Sequence, residues 1–368
     1  MNLTYEYFVS FILAFIVALS STPIAKKAAL KFGAVDIPND ERRIHKKPIP
    51  RLGGLAIVAG FFVSLLFNIV NDAITNGVAF ELSTQMLGLI GGMLIIVVVG
   101  VLDDIKQLSA KVKILFHLAA AIVVVIAGTK INVLYGFTLS PYISYPLTIF
   151  WIIGITNAIN LIDGLDGLAA GVSSIASLSL FFVSIITSRG DIAIITAVLA
   201  GSTLGFLPFN FNPAKIFMGD TGSNFLGFAL GVISIQGTIK SYTAIAIAIP
   251  LLVLGLPLFD TIFAILRRLA GGKSIMAADR GHIHHKLIDM GLSQRQSVVA
   301  LYTASGALGL CAVVLAGRGV LSAIILVVSI SVFIIGGARF MTEMETDKDK
   351  EEEPKVDAVE NKISNVKE

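Results

Sequence analysis

The stretch TQMLGLIGGMLIIVVVGVLDD, residues 84–104, decides the fold class. From Thr84 to Leu102 it carries no charge. A helix rises 1.5 Å per residue, so roughly 20 apolar residues cross a hydrocarbon layer about 30 Å thick. The run then stops abruptly at two adjacent carboxylates, Asp103 and Asp104. Similar runs recur outward in both directions. About 11 candidate spans lie between residues 4 and 339, one of them continuous over 242–264. The composition agrees: 55% hydrophobic, 14% charged and a mean hydropathy of +0.85, against about 25% charged in soluble domains. The expected fold is an all-α polytopic membrane protein. The lone cysteine, Cys311, excludes an intramolecular disulfide.

Positive charge orients the spans. No Lys or Arg precedes the first run, and Lys26, Lys27 and Lys31 follow it, which reads as an uncleaved anchor with the N-terminus outside. The alternate loops on the expected cytosolic side, with Lys113, then hold 18 Lys and Arg. The opposite loops hold only Lys130, Arg189, Lys240 and Arg318. An odd number of spans places the C-terminus in the cytosol. Residues 1–340 are read as the membrane-embedded domain. Residues 341–368, rich in Glu, Asp and Lys, are read as a disordered tail that buries too little surface to fold. Residues 131–146, around Gly136 and Pro141, read as a short outside hairpin.

Ionisable groups at the edge of an apolar layer are costly, so they are functional candidates. Five groups stand out, all at expected cytosolic ends. The first runs from Val35 to Gly54, basic and stiffened by proline. Its Lys47 and Arg51 suit phosphate, and Gly53 and Gly54 permit close backbone approach. The second is Asp103-Asp104, whose mutual repulsion a cation would relieve, with Lys113 within reach. The third is Asn157-Ala-Ile-Asn160-Leu-Ile-Asp163-Gly-Leu-Asp166-Gly167, which puts Asn157, Asn160 and Asp163 on one helical face before a turn. The fourth joins two spans, from Asn210 to Ser223, with Asp220 flanked by Gly219 and Gly222. Mg²⁺ favours one or two carboxylates plus phosphate oxygens and water. The fifth is Asp279-Arg280-Gly-His282-Ile-His284-His285. A zinc site is one reading; imidazoles beside an arginine suit a phosphate or sugar better. Asp260 stands apart and pairs plausibly with Arg267 or Arg268. No GxGxxG or GxxxxGK[ST] pattern and no repeat of 20–50 residues is present, and no nucleic-acid partner is expected.

Taken in order, these motifs resemble the polyprenyl-phosphate N-acetylhexosamine-1-phosphate transferase family, over about residues 1–340. Its bacterial members initiate O-antigen and wall teichoic acid synthesis. The resemblance implies transfer of a sugar 1-phosphate from a UDP-sugar to polyprenyl phosphate, with release of UMP. Mg²⁺ is the implied cofactor, with Mn²⁺ as a substitute, and a homodimer is the implied assembly. It further implies catalytic roles for Asp103, Asp104 and Asp163, and metal contact by Asp220 and Asn160. Substrate contact falls to Lys47, Lys113, Asn157, Asn210, Arg280, His282, His284 and His285. His-Ile-His-His departs from the three consecutive histidines of the MurNAc-pentapeptide branch and points to a UDP-GlcNAc branch. The implied location is a bacterial cytoplasmic membrane, with the site facing the cytosol.

In this family Asp103 is commonly assigned as a general base. A phosphate monoester has a second pKa of about 6, so near neutrality proton removal gains little, and Asp103 is expected to position the nucleophile or the metal. An ion-coupled transporter is the rival from another class. It would place carboxylates near the bilayer midplane, often in repeated halves. A membrane metalloprotease would need a helical HExxH-type pair, which is absent.

Overall fold

In a computed structural model the described residues are 3–38, 47–75, 82–134, 137–238, 245–272, 274, 281–319, 321, 322 and 324. Arg280, most of the expected last span over 319–339, and the charged tail lie outside them. Residues 1–317 form one unit; a second comprises residues 318–368.

Twelve helices are described: α1 (Leu3–Phe32), α2 (Gly54–Thr75), α3 (Thr84–Lys106), α4 (Ala110–Ile126), α5 (Pro141–Ile162), α6 (Leu168–Ile186), α7 (Gly190–Asn210), α8 (Gly219–Thr238), α9 (Ile245–Val253), α10 (Gly255–Ala270), α11 (Ile283–Asp289) and α12 (Gln294–Arg318). Two antiparallel two-residue ladders supplement them: β1 (Val35–Asp36) with β2 (Ile49–Pro50), and β3 (Val133–Leu134) with β4 (Phe137–Thr138). The second ladder is the expected hairpin. The protein is thus an all-α polytopic membrane protein. Among the described residues seven helices are long and apolar enough to cross a bilayer, eight if a bent pair counts as one span. Large apolar side chains such as Phe8, Ile126, Phe150 and Phe263 stand on the outer surface, as helices facing lipid tails require.

The bent pair is where the single run expected over 242–264 divides. α9 and α10 meet at 82°. Pro250 near the end of α9, and Gly255 and Pro257 in the first turn of α10, explain the break. Proline removes a helix N–H and is tolerated best in a first turn, where that N–H has no partner.

α8 is the inner element. From Thr221 to Gly237 every residue is buried, and α3 and α5 pack along it, with α2, α6 and α7. A helix covered all round belongs to a core. Between apolar helices, small residues and hydrogen bonds decide the association. A Cβ on Gly100 of α3 would overlap the Thr221 backbone, and one on Gly54 of α2 would overlap Gly222. Polar residues tie other pairs. Ser10 donates to Asn68 (2.8 Å), Gln236 to Thr129 (2.8 Å) and Trp151 to Ser234 (3.1 Å).

Gly100→Val is expected to lower stability by about 1–3 kcal/mol through overpacking. Gly154→Ala on α5, where an added Cβ meets open space, should be neutral or raise stability by up to about 1 kcal/mol. Thermal denaturation in detergent compares the two; equal midpoints would discard the close α3–α8 approach.

Candidate active site

The first turn of α8 is held from below by the last turn of α3. Asp104 is 3% exposed. Its Oδ1 accepts the Asp220 N–H (2.9 Å), and its Oδ2 accepts the Thr221 N–H (3.0 Å) and the Thr221 hydroxyl (2.6 Å). Helix N-termini carry unpaired N–H groups and a partial positive charge, and a carboxylate answers both. The residue expected to be catalytic is therefore a cap supplied from another helix. Arg51 reinforces the joint by donating from Nε to the Asp104 carbonyl (3.0 Å).

The segment 49–54, from β2 into the start of α2, lies against the same place. Phe217 N–H donates to Pro50 O (2.7 Å), Gly53 N–H to Phe217 O (2.9 Å) and Gly54 N–H to Met218 O (2.8 Å). The close backbone approach foreseen at Gly53 and Gly54 is thus to residues 217–222. Gly219 sits at φ +71 against Arg51 O and the Asp104 carboxylate, so it and Gly222 serve this junction rather than exposing Asp220.

Asp220 emerges from the junction. Lys113 Nζ lies 2.7 Å from Asp220 Oδ2 and 3.0 Å from Asp103 Oδ2. The other Asp103 oxygen accepts the Leu108 N–H (2.6 Å). Asp103 therefore anchors Lys113 and the turn after α3.

A cavity of about 320 Å³ opens beside Asp220, lined among others by Asp104, Asn160, Asp163, Asp166, Asn210 and His285. α5 supplies Asn160, which donates to Ser223 Oγ (2.8 Å), and Asp163 follows in the turn. Asn157 lies one turn before Asn160 on the same helix, but its amide donates back to Ile153 O (2.8 Å), and it is not in the cavity lining. Asn210 donates to Ile216 O (3.1 Å), while its buried Oδ1 has no hydrogen-bond partner among the described residues. Of the last loop, His285 lines the cavity. The His284 ring lies directly against Gly164, where a Cβ would collide with Nε2. Lys47 borders a second cavity of about 560 Å³, with Lys26, Lys215 and Gln294.

Asp166 belongs to both cavities. Its Oδ2 accepts from Asn212 Nδ2 (3.0 Å) and the Ala214 N–H (2.9 Å). Gln294 and Arg295 of α12 grip Asn212 in turn, and Tyr302 donates to Gly167 O (2.5 Å). Asp166 stood in a motif; Gln294 and Tyr302, ordinary residues of an apolar helix, gave no signal.

Burial, and then the charges of Asp220, Asp104 and Asp166, push the Asp163 carboxyl up to about 8. That is how a carboxylate cluster short of positive charge behaves. The lining offers hard oxygen donors, which suit Mg²⁺. Among the described residues no three His, Cys, Asp or Glu side chains converge on one point. Mg²⁺ does not need such a cage, because it keeps waters and shares phosphate oxygens with a substrate.

Residues 86–238 match Glycosyl transferase family 4. A probable undecaprenyl-phosphate N-acetylglucosaminyl 1-phosphate transferase of Bacillus subtilis is 45% identical over 316 residues, 83% of this chain and 84% of that protein. The chain belongs to this family. A decaprenyl-phosphate N-acetylglucosaminephosphotransferase of Mycolicibacterium smegmatis is 36% identical over 315 residues, 78% of this chain and 77% of the relative. An undecaprenyl-phosphate alpha-N-acetylglucosaminyl 1-phosphate transferase of Escherichia coli K12 is 30% identical over 295 residues, 77% of each. The family match covers α3 to α8, the helices that bring Asp103, Lys113, Asn160, Asp163 and Asp220 together.

Burial, and next the neighbouring His285, holds His284 down to about 4. Unfolded, it titrates near 6.5. As pH falls from about 6.5 to about 4 the unfolded chain takes up a proton that the folded one refuses, so stability is lost across that window. The melting temperature in detergent should fall accordingly, and less steeply for His284→Gln; identical slopes would contradict a neutral buried ring.

Proposed function

We propose that the chain transfers N-acetylglucosamine 1-phosphate from UDP-GlcNAc to undecaprenyl phosphate and releases UMP. We place this at the cytosolic face of a bacterial cytoplasmic membrane. The reading is carried by the cavity lined by Asp220, Asn160, Asp163 and Asn210 at the ends of apolar helices, with Lys113 paired to Asp220. Two anions must meet there: a lipid phosphate restricted to the membrane surface and a water-soluble sugar diphosphate. A positive charge among clustered oxygens, beside a membrane, suits that encounter. The relatives' names favour this chemistry over an ion-coupled transporter or the MurNAc-pentapeptide branch.

In the reaction an oxygen of the lipid phosphate bonds to the sugar-bearing phosphorus. The bond from that phosphorus to the bridging oxygen breaks, and UMP departs with the oxygen. Lys113 holds phosphate oxygens of the crowded transition state, and Asp103 acts by fixing Lys113. Asn210 offers its unpartnered Oδ1 to a donor on the nucleotide. His285 contacts the sugar or diphosphate from the opposite wall. Asp220, with Asn160 or Asp163, would hold Mg²⁺. Bound there, the ion would neutralise the diphosphate and stabilise the leaving phosphate.

Purified protein with undecaprenyl phosphate, UDP-GlcNAc and Mg²⁺ should release UMP, and a chelator should stop it. A folded sample releasing no UMP from any UDP-N-acetylhexosamine would sink the reading. Lys113→Gln should cut kcat about 10²–10³-fold, as for loss of one aimed donor to developing charge. Asp103→Asn should stay impaired when pH rises from about 6 to about 8; full recovery would instead establish it as a base.

A further inference from the structure

Asp260 has no part in the mechanism above, yet it is one of the most enclosed charges in the protein. It lies on α10, 4% exposed. An ionised carboxylate away from water is costly unless its oxygens are taken. Both are taken by the last loop, 22 and 23 residues further along the chain. Oδ2 lies 2.8 Å from His282 Nδ1, and Oδ1 accepts the Ile283 N–H at 2.7 Å.

Each contact has a consequence. A carboxylate only accepts, so Nδ1 of His282 carries the proton and Nε2 is the ring's free position. Ile283 is the first residue of α11, and the preceding His282 makes no side-chain cap of its own. Asp260 thus fixes the tautomer of one histidine and starts the short helix that carries the next two. The effect extends by stacking. The His282 ring lies over His284, with centroids 5.7 Å apart and planes within 10°. His284 packs on Gly164, beside Asp163, and its ring lies 4.3 Å from that of His285. His285 is the member lining the cavity. α10 steadies the loop at a second point, where Gly281 lies against the Arg267 guanidinium. Since α10 also packs on α5, both walls of the cavity are referred to neighbouring helices.

We propose that Asp260 is a positioning residue for the transferase reaction: through His282 and the α11 N-terminus it sets where His284 and His285 stand against the cavity. Only the kinetic part of its test rests on the activity proposed above.

The tautomer is read without any assay. Protein labelled with nitrogen-15 histidine has five side chains to assign, and His282→Gln identifies the signal of interest. In the unsubstituted protein His282 should be protonated at Nδ1; a ring protonated only at Nε2 overturns the proposal. In Asp260→Asn the carboxamide can donate to Nδ1, so the proton should move to Nε2. The kinetic arm is a double-substitution cycle. Asp260→Asn should lower kcat/KM about 10–100-fold, as for loss of a partner that orients a functional histidine. If Asp260 acts through His282, adding His282→Gln should cost no more than the worse single change. Losses that multiply would refute action through His282. Unaltered activity and tautomer in Asp260→Asn would also refute the role. Should that variant fail to fold, the spectrum of the unsubstituted protein still decides.

Discussion

The joint between Asp104 and the N-terminus of α8 is the constraint on which the rest depends. α8 is buried from Thr221 onward, and its first N–H groups have no partner within the helix. One carboxylate from α3 takes two of them and the Thr221 hydroxyl as well. The same joint aims Asp220 outward, draws the 49–54 segment alongside, and requires a glycine at position 219. The exchange is mutual. Asp104 gains donors that offset part of its lost hydration, and α8 gains acceptors for its first N–H groups.

Around this joint the carboxylates exceed the positive charge present. Lys113 serves both Asp103 and Asp220, while Asp163 is driven toward its protonated form. The helices around it are tightly fitted, whereas the loops gripping it come from far along the chain. Asp166 holds the 212–214 segment, α12 holds Asn212 and Gly167, and α10 holds His282. The loops around the cavity are thus tied to apolar helices by a few polar contacts.

Much of this was readable in the chain. The apolar run ending at Asp103-Asp104, the Asn160–Asp163 helix end and the 219–223 turn were recognisable because charge and glycine there contradict their apolar surroundings. Less legible were the individual assignments. Asn157 has the right spacing, but its amide satisfies its own helix. Asp104 looked like a reactive partner of Asp103 and proves to be a cap. Asp260 had Arg267 and Arg268 near it in sequence, and its two oxygens reach the His loop.

By itself the sequence determined the class of molecule, an all-α membrane protein, because hydrophobic length and charge are local properties that no packing arrangement alters. It also marked motifs that meet at one cavity, since an Asp or Asn beside an apolar run is costly. Tertiary structure alone decided which of two adjacent aspartates caps a helix and which holds a lysine. It also decided that a single apolar run bends by 82°, and that a carboxylate on α10 governs histidines more than 20 residues away. Those outcomes depend on which donors a fold brings within 3 Å, and that distance is set by helices packing on one another rather than by neighbours in the chain.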